Sequence, residues 1–128
     1  MTRKSAVGGE NIIRFETLES IVSLDPANGA GLLARLIRMY ENNSIELLQA
    51  IKTSFAADDG IALSKAAHAL KSSSGNVGAE RLSALCKEIE LAARGGDLVS
   101  IETEVEMLVI EHGMVIEKLH QYSPGELA

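Results

Sequence analysis

Apolar residues recur every three to four positions along most of the chain, which is the spacing of one face of an α-helix. The first such run is short, and its members Phe15, Leu18, Ile21 and Val22 predict about two turns of helix. No stretch alternates apolar and polar residues with a period of two, so the pattern predicts no β-strand. A length of 128 residues suits a single domain.

A longer helical run follows, and it carries signals for a start and for a break. Asp25 and Pro26 predict the start, with Asp25 as the N-cap and Pro26 at the first helical position. The apolar positions are Leu32, Leu33, Leu36, Ile37 and Tyr40, followed by Ile45, Leu48, Ile51 and Phe55. Asn42-Asn43-Ser44 predicts a break between these two groups. The pattern does not decide between one bent helix and two over residues 26–57.

The next helix is predicted from Ile61 to about Gly75, because Asp58-Asp59-Gly60 can end one helix and cap another. Gly78 allows a tight turn, and Glu80 suits the first turn of the following helix. The positions predicted to face inward are Leu63, Ala66, Ala67, Leu70 and Ser74 in the first helix and Leu82, Leu85, Cys86, Ile89 and Ala93 in the second.

Gly95-Gly96 ends that helix, and Asp97 is the predicted cap of the last one. In the last helix Leu98, Ile101, Val105, Leu108, Val115 and Leu119 are predicted to face inward. Short connections favour an all-α, antiparallel four-helix bundle with one or two additional short N-terminal helices. The predicted domain spans residues 11–122, between a flexible N-terminal arm, 1–10, and a flexible C-terminal tail, 123–128.

Composition and charge narrow the class of protein. Apolar residues make up 46% of the chain and aromatic residues only 3%, so the core must be aliphatic. Eighteen acidic against twelve basic residues give a net charge of -6, and basic residues cluster only in the N-terminal Thr2-Arg3-Lys4, which argues against nucleic-acid binding. No apolar run has the length of a membrane span or a signal segment, so we expect a cytoplasmic protein without membrane insertion. Cys86, the one cysteine, is predicted to be a small core residue.

One helical face carries the candidate chemistry. The residues that fall opposite the apolar stripe on a helical wheel are Ser64, Lys65, His68, Lys71, Ser72 and Gly75. Serine and glycine cost about 0.5 to 1 kcal/mol of helix propensity each against alanine, so their presence indicates a surface kept bare. An exposed imidazole with a pKa near 6.5 is largely neutral at cytoplasmic pH and has one nitrogen free to act as a nucleophile.

This arrangement suits the capture of a phosphoryl group. The ring would attack, Lys71 would offset charge on the phosphoryl oxygens, and the flat strip would admit a partner's active site. The chain has no P-loop, no glycine-rich nucleotide loop and no acidic cluster with Mg²⁺ spacing. The phosphoryl donor and the metal would therefore come from the partner.

The stretch His68 to Ala79, HALKSSSGNVGA, resembles the signature of histidine-containing phosphotransfer (HPt) domains. In that family H-x-L-K precedes small residues and then an apolar-Gly-Ala turn. Further similarity lies in Leu82, Leu85, Cys86, Glu88 and Glu90 and in the ARGGD break at 93–97. The resemblance covers roughly residues 15–120 and is distinctive over 66–90. Ser72 departs from it, since the family most often has glycine there.

The resemblance implies a specific role for each of these residues. His68 would accept a phosphoryl group, on the ring nitrogen farther from the backbone, from the phosphoaspartate of a receiver domain of a hybrid histidine kinase, and pass it to an aspartate of a response regulator. Lys71 would assist electrostatically, and Ser72 and Gly75 would give clearance. The protein would need no cofactor of its own, because Mg²⁺ is expected on the receiver domain. It would be a phosphoryl carrier without kinase or ATPase activity of its own, and we expect a monomer by default. Lys65 is a further candidate for contact with the partner protein.

Two other function classes stay open at this point. A phosphorylation-independent adaptor would bind a receiver domain or kinase without turnover. A hydrolase or metalloenzyme is disfavoured, because no paired carboxylates and no metal-ligand spacing among His68, His112 and His120 can be assembled from the pattern. His112 lies near the apolar stripe of the last helix and is predicted to be half-buried, whereas His120 is near that helix's end.

Overall fold

The computed structural model describes residues 12–122, which form an all-α structure, as the sequence predicted. The α-helices within these residues are α1 (Phe15–Ser23), α2 (Gly29–Ala56), α3 (Gly60–Asn76), α4 (Glu80–Arg94) and α5 (Glu102–Gln121), and a 3-10 turn, Val99–Ile101, leads into α5. The predictions of a flexible arm at 1–10 and a flexible tail at 123–128 lie outside the described residues.

Helices α2 to α5 form the predicted antiparallel four-helix bundle, and α1 is the short additional N-terminal helix. Helix α3 packs most extensively against α4 and next against α2. A hydrogen bond of 2.8 Å joins the Tyr40 hydroxyl of α2 to the Ser74 hydroxyl of α3. On the other side of α3, the Ser83 hydroxyl of α4 donates to the Lys71 carbonyl oxygen at 2.9 Å. Helix α3 is therefore held from both flanks.

The core behind α3 is aliphatic, as the composition predicted. Leu63 and Leu70 of α3 are fully buried against Leu82 and Ile89 of α4 and the other core side chains. Burial of each such side chain contributes roughly 1.5 to 3 kcal/mol to folding. This packing fixes which way α3 faces and leaves its other side free. Within residues 12–122, no helix is both long enough and apolar enough to cross a membrane.

Helix α2 runs without interruption, so the predicted break at Asn42-Asn43-Ser44 is wrong and residues 29–56 form one helix. Asn42 and Asn43 face solvent, while Ser44 is buried with its hydroxyl 2.8 Å from Nε2 of His112 in α5. That contact outweighs helix-propensity costs of about 0.5 kcal/mol per residue. Because Ser44 takes the inward position, Ile45 is exposed rather than buried.

The start of α2 also differs from the prediction. Asp25 and Pro26 lie in a turn, in which the Asp25 carboxylate accepts a hydrogen bond from the Asn28 backbone N–H at 3.3 Å. The helix begins at Gly29, where a Cβ atom would collide with the carbonyl oxygen of Val22. Close packing of the end of α1 against the start of α2 therefore decides the boundary.

The remaining boundaries follow the sequence closely. Asp59 caps α3 by accepting a hydrogen bond from the Ala62 N–H at 3.1 Å, and Gly78 makes the α3–α4 turn with a φ of 83°. Asp97 was predicted to cap the last helix, but its carboxylate accepts a hydrogen bond from the Ser100 N–H at 3.3 Å, within the segment of the 3-10 turn that precedes α5. Asp97 therefore lies before the 3-10 turn and not directly before α5, the helix that it was predicted to cap.

Candidate functional site

His68 lies midway along α3 on the face that the bundle leaves free. Its side chain is 57% exposed. Lys65, Ser72 and Gly75 are exposed on the same face, and Lys71 is half-buried. The structure therefore brings these five residues together, and Ser64, the sixth residue that the helical wheel selected, is half-buried on the same helix.

A buried carboxylate from α4 holds the ring. Nδ1 of His68 lies 2.9 Å from Oε2 of Glu90, and the Lys71 ammonium donates to Oε1 of the same carboxylate at 2.8 Å. Arg94, one turn beyond Glu90, places Nη2 2.9 Å from Oε2. The Glu90 side chain is only 3% exposed, so its charge is balanced by these neighbours rather than by water. Glu90 is thus the residue that ties α3 to α4 at the site.

The pKa of Glu90 reflects this environment. The hydrogen bond from the Lys71 ammonium holds the pKa of Glu90 below its usual value, the hydrogen bond from His68 acts in the same direction, and burial opposes both. The carboxyl group is therefore ionised at neutral pH.

An ionised Glu90 fixes which ring nitrogen carries the proton. A carboxylate can only accept hydrogen bonds, so the nitrogen that faces it, Nδ1 of His68, must be the donor. In a neutral imidazole the other nitrogen, Nε2, then has a free lone pair. Since Nδ1 is turned to Glu90, the lone pair lies on the outer side of the ring, in the exposed part of the side chain. The geometry thus provides an accessible nucleophile in a defined tautomer.

The helix surface next to the ring carries only small side chains at Ser72 and Gly75. A Cβ atom built at Gly75 would have no contact closer than 3.9 Å, to the Ser83 hydroxyl, so packing within the bundle does not require glycine there. Ser72 is exposed one turn from His68. Both residues are small and exposed, and the clearance that the resemblance implies for them stays a prediction.

The neighbourhood of the ring is positive although the chain is acidic. Lys65 and Arg94 line a cavity of about 240 Å³ at His68, and Lys71 lies beside it. Lys71 and Arg94 both pair with one carboxylate, Glu90, and Lys65 adds a third cation, in a protein of net charge -6. Such a local excess of positive charge favours the approach of an anionic group.

Sequence reasoning counted Glu90 toward the family resemblance but gave it no place in the site. A signal for that place was present, because Glu90 falls one turn after Cys86 and one turn before Ala93, inside the stripe predicted to face inward. A carboxylate in an apolar stripe needs a cationic or hydrogen-bonding partner. The pattern does not give the register between α3 and α4, so it could not identify that partner as His68.

The other candidate residues take no part in this cluster. His112 is buried, 6% exposed, rather than half-buried as predicted, and its burial lowers its pKa. His120 lies near the end of α5 with Nε2 2.8 Å from Glu41. Cys86 is a buried free thiol whose pKa is raised to about 12, chiefly by burial, as befits the predicted core residue. In the part of the chain that the structure describes, no three potential metal ligands come together.

Comparison with known proteins identifies the family. Residues 35–122, more than half of the chain, match the family described as the Hpt domain. The fold is similar to the crystal structure of histidine-containing phosphotransfer protein B (HptB) from Pseudomonas aeruginosa PAO1, with a TM-score of 0.77 and 27% sequence identity over 86% of this chain and 92% of that one. No match was found among curated proteins. The matched region contains α3 and α4 entire, and the chain belongs to the Hpt family of histidine phosphotransfer proteins that act in phosphorelays.

Proposed function

We propose that Nε2 of His68 accepts a phosphoryl group from the phosphoaspartate of a receiver domain in a hybrid histidine kinase and passes it to the aspartate of a downstream response regulator. The observation that carries this proposal is the 2.9 Å contact between Nδ1 of His68 and the Glu90 carboxylate. It supports the tautomer of His68 that has its lone pair on the exposed nitrogen. Small and positively charged residues surround that nitrogen.

In the forward step the Nε2 lone pair attacks the phosphorus of the acyl phosphate. The N–P bond forms as the P–O bond to the aspartyl carbonyl breaks, and the aspartate leaves as a carboxylate. The ring gains positive charge as its lone pair is used, and the Nδ1 proton is then shared more strongly with Glu90. Glu90, already ionised and in place, requires no rearrangement at that moment. It acts as a positioning residue that also stabilises the charged ring.

Lys71 has a second task in this proposal. Its ammonium is anchored to Glu90 at 2.8 Å, one helical turn from His68. From there it offsets negative charge on the phosphoryl oxygens, which is the main requirement of phosphoryl transfer besides positioning. Lys65 and Arg94 add to the same field from the cavity beside the ring.

Transfer to the second receiver domain is the reverse of this step, with the new aspartate attacking phosphorus and the imidazole leaving with its Nδ1–H retained. Mg²⁺ is assigned to the receiver domains, and this chain would contribute no cofactor and no ATP chemistry. A cytoplasmic location and a monomeric state belong to the same proposal.

The test is phosphoryl transfer from a phosphorylated receiver domain to the purified protein. Wild-type protein is expected to become labelled, with the acid lability and alkali stability of phosphohistidine, and to lose the label again to a second receiver domain. Label stable to acid, which indicates a phosphoserine such as one in the Ser72–Ser74 run, would overturn the proposal.

The adaptor function remains the second candidate, because the exposed face of α3 could bind a receiver domain without turnover. It predicts binding of the receiver domain and no label from any phosphorylated receiver. It also predicts that His68→Gln leaves signalling output intact, whereas the phosphotransfer proposal predicts loss of output.

A further inference from the structure

A groove in the described part of the bundle adjoins the His68 site. It has a volume of about 540 Å³ and lies between the first two turns of α3 and the end of α4. The smaller cavity at the ring shares three of its lining residues, Ser64, Lys65 and Arg94. The two spaces are therefore adjacent, and a molecule seated on His68 would also face the groove.

The walls of the groove are apolar at the base. Ala93 and Leu98 are buried there, and Ile61 stands at the edge with 73% of its surface exposed. A Cβ atom at Gly60 would lie 3.0 Å from the Ala93 carbonyl oxygen, so a glycine is what lets α3 and α4 approach closely at the base. Single exposed apolar residues are ordinary on protein surfaces, but one at the mouth of an apolar-floored groove offers a contact area.

The rim is charged, and the charge is mainly positive. Lys65 and Arg94 stand on the side toward His68, and Asp58 is the acidic residue at the opposite end. Arg94 is already paired with Glu90, whereas Lys65 has no ion-pair partner within residues 12–122. In a chain of net charge -6, this rim is complementary to an acidic partner surface.

We propose that this groove is the specificity-determining docking site for the receiver domain, and that it takes an apolar side chain flanked by a carboxylate. The inference rests on the proposed function, because the occupant is the same receiver domain whose phosphoaspartate meets His68. Ile61 precedes His68 by seven residues, which is about 10 Å along the axis of α3. The partner's apolar residue should therefore lie about that far from its phosphoaspartate, with the carboxylate on the side of Lys65.

The groove thus separates recognition from chemistry. Ile61 and Lys65 would hold the receiver domain, while His68, Glu90 and Lys71 would carry out the transfer. Removing the apolar contact of Ile61 should raise the KM for the receiver domain and leave the reactivity of the imidazole unchanged. Small phosphoryl donors, which do not fill the groove, should be insensitive to the change.

The experiment compares Ile61→Ser and Lys65→Glu with a matched control, Ile110→Ser, on the exposed face of α5 away from the groove. Each protein is phosphorylated in two ways, by phosphoramidate and by a phosphorylated receiver domain that labels the wild type. We expect both groove variants to raise the KM for the receiver domain by about tenfold, the effect of losing a strong interface contact. Labelling of Ile61→Ser by phosphoramidate and the kinetics of Ile110→Ser should match the wild type, whereas Lys65→Glu is compared by its KM alone, because Lys65 also adds to the positive field at His68.

An unchanged KM in both groove variants would overturn the docking proposal while leaving the phosphotransfer function intact. An equal rise in KM for Ile110→Ser would also overturn it, because the effect would then not be specific to the groove. Failure of the wild-type protein to be labelled by phosphoramidate and by every receiver domain tried when that donor is chosen would instead contradict the proposed function itself. The two failures are therefore distinguishable within one data set.

Discussion

His68 on α3 and His120 at the end of α5 are alike in two respects and opposite in a third. Their side chains are almost equally exposed, 57% and 56%, and each ring has a carboxylate within 3 Å. In His68 the carboxylate meets Nδ1, and in His120 it meets Nε2. The first arrangement leaves the outer nitrogen free, whereas the second occupies it. Exposure and an acidic partner are therefore not enough to make an acceptor, since the nitrogen that the partner engages decides whether the ring can react.

The carboxylates differ as well. Glu90 is buried and fixed by Lys71, while Glu41 is partly exposed to solvent. A buried, fixed carboxylate holds one ring orientation, and its charge is little screened by water. The buried His112, paired with the Ser44 hydroxyl at 2.8 Å, is a third case, in which a neutral partner and burial leave no approach at all.

The largest expected effect separates the two exposed histidines. His68→Gln should abolish phosphoryl acceptance from a receiver domain, because the amide has no comparable nucleophile, while its exposed position leaves the fold intact. His120→Gln should be labelled like the wild type. Transfer assays with circular dichroism melts of both variants check this, and residual acid-labile label on His68→Gln would break the comparison.

The next largest effect is expected from removing the carboxylate that contacts the ring of His68. Glu90→Ala should slow transfer by about 10- to 100-fold, the range found when the group that orients a metal-ligating imidazole through its other nitrogen is removed. Glu90→Gln, which keeps an oxygen acceptor for Nδ1, should recover part of this rate. Single-turnover kinetics provide the measurement.

Glu41→Ala is the matched control, since it removes the carboxylate from an imidazole of nearly the same exposure. It should leave transfer to His68 unchanged. A loss of rate equal to that of Glu90→Ala would show that general surface charge, rather than the orientation of His68, sets the rate.

The sequence predicted the position of His68 well, but it did not predict the contact of its ring with Glu90. The outward position of His68 follows from the period of α3 alone, because the apolar residues of that helix leave only one side free. Its contact with Glu90 depends on the register of α4 against α3, and no local pattern contains that register. Ser44 was misjudged for the same reason. Read locally, a serine after two asparagines breaks a helix, but the imidazole of His112 across the bundle gives its hydroxyl a buried partner.

The effect of the buried His112 should appear in the free energy of unfolding rather than in the rate of phosphoryl transfer. Burial lowers the pKa of His112 in the folded protein below its ordinary value of 6.5. The unfolded chain therefore takes up a proton first as the pH falls below 6.5, and stability should decrease by up to about 1.4 kcal/mol per pH unit from this group. The Glu41 charge opposes the shift and is the smaller influence.

The measurement is the free energy of unfolding in urea between pH 7 and pH 5 for the wild type and His112→Gln. The variant should lose part of the pH dependence while retaining transfer activity. Identical pH profiles would contradict the assignment of His112 as a buried neutral ring. The lowered pKa of Glu90 predicts a separate loss of stability with the same sign, below its ordinary pKa of 4.5.

The smallest expected effect concerns clearance beside His68. Ser72→Gly should raise the rate of transfer from a receiver domain by no more than about twofold, because the serine is small and already exposed. Ser72→Leu serves as the opposite change and should slow transfer while leaving labelling by phosphoramidate near the wild-type rate. Equal effects on both donors would mean that Ser72 acts on the ring and not on the approach of the partner.

The central claim is that Glu90 holds the proton on Nδ1 of His68 and thereby makes Nε2 the acceptor. Long-range ¹H–¹⁵N correlation spectra of protein labelled at histidine, recorded before and after phosphorylation, test it directly. The account predicts a protonated Nδ1 in the free protein and a phosphorus coupling at Nε2 afterwards. A protonated Nε2 in the free protein, or phosphate on Nδ1, would contradict it.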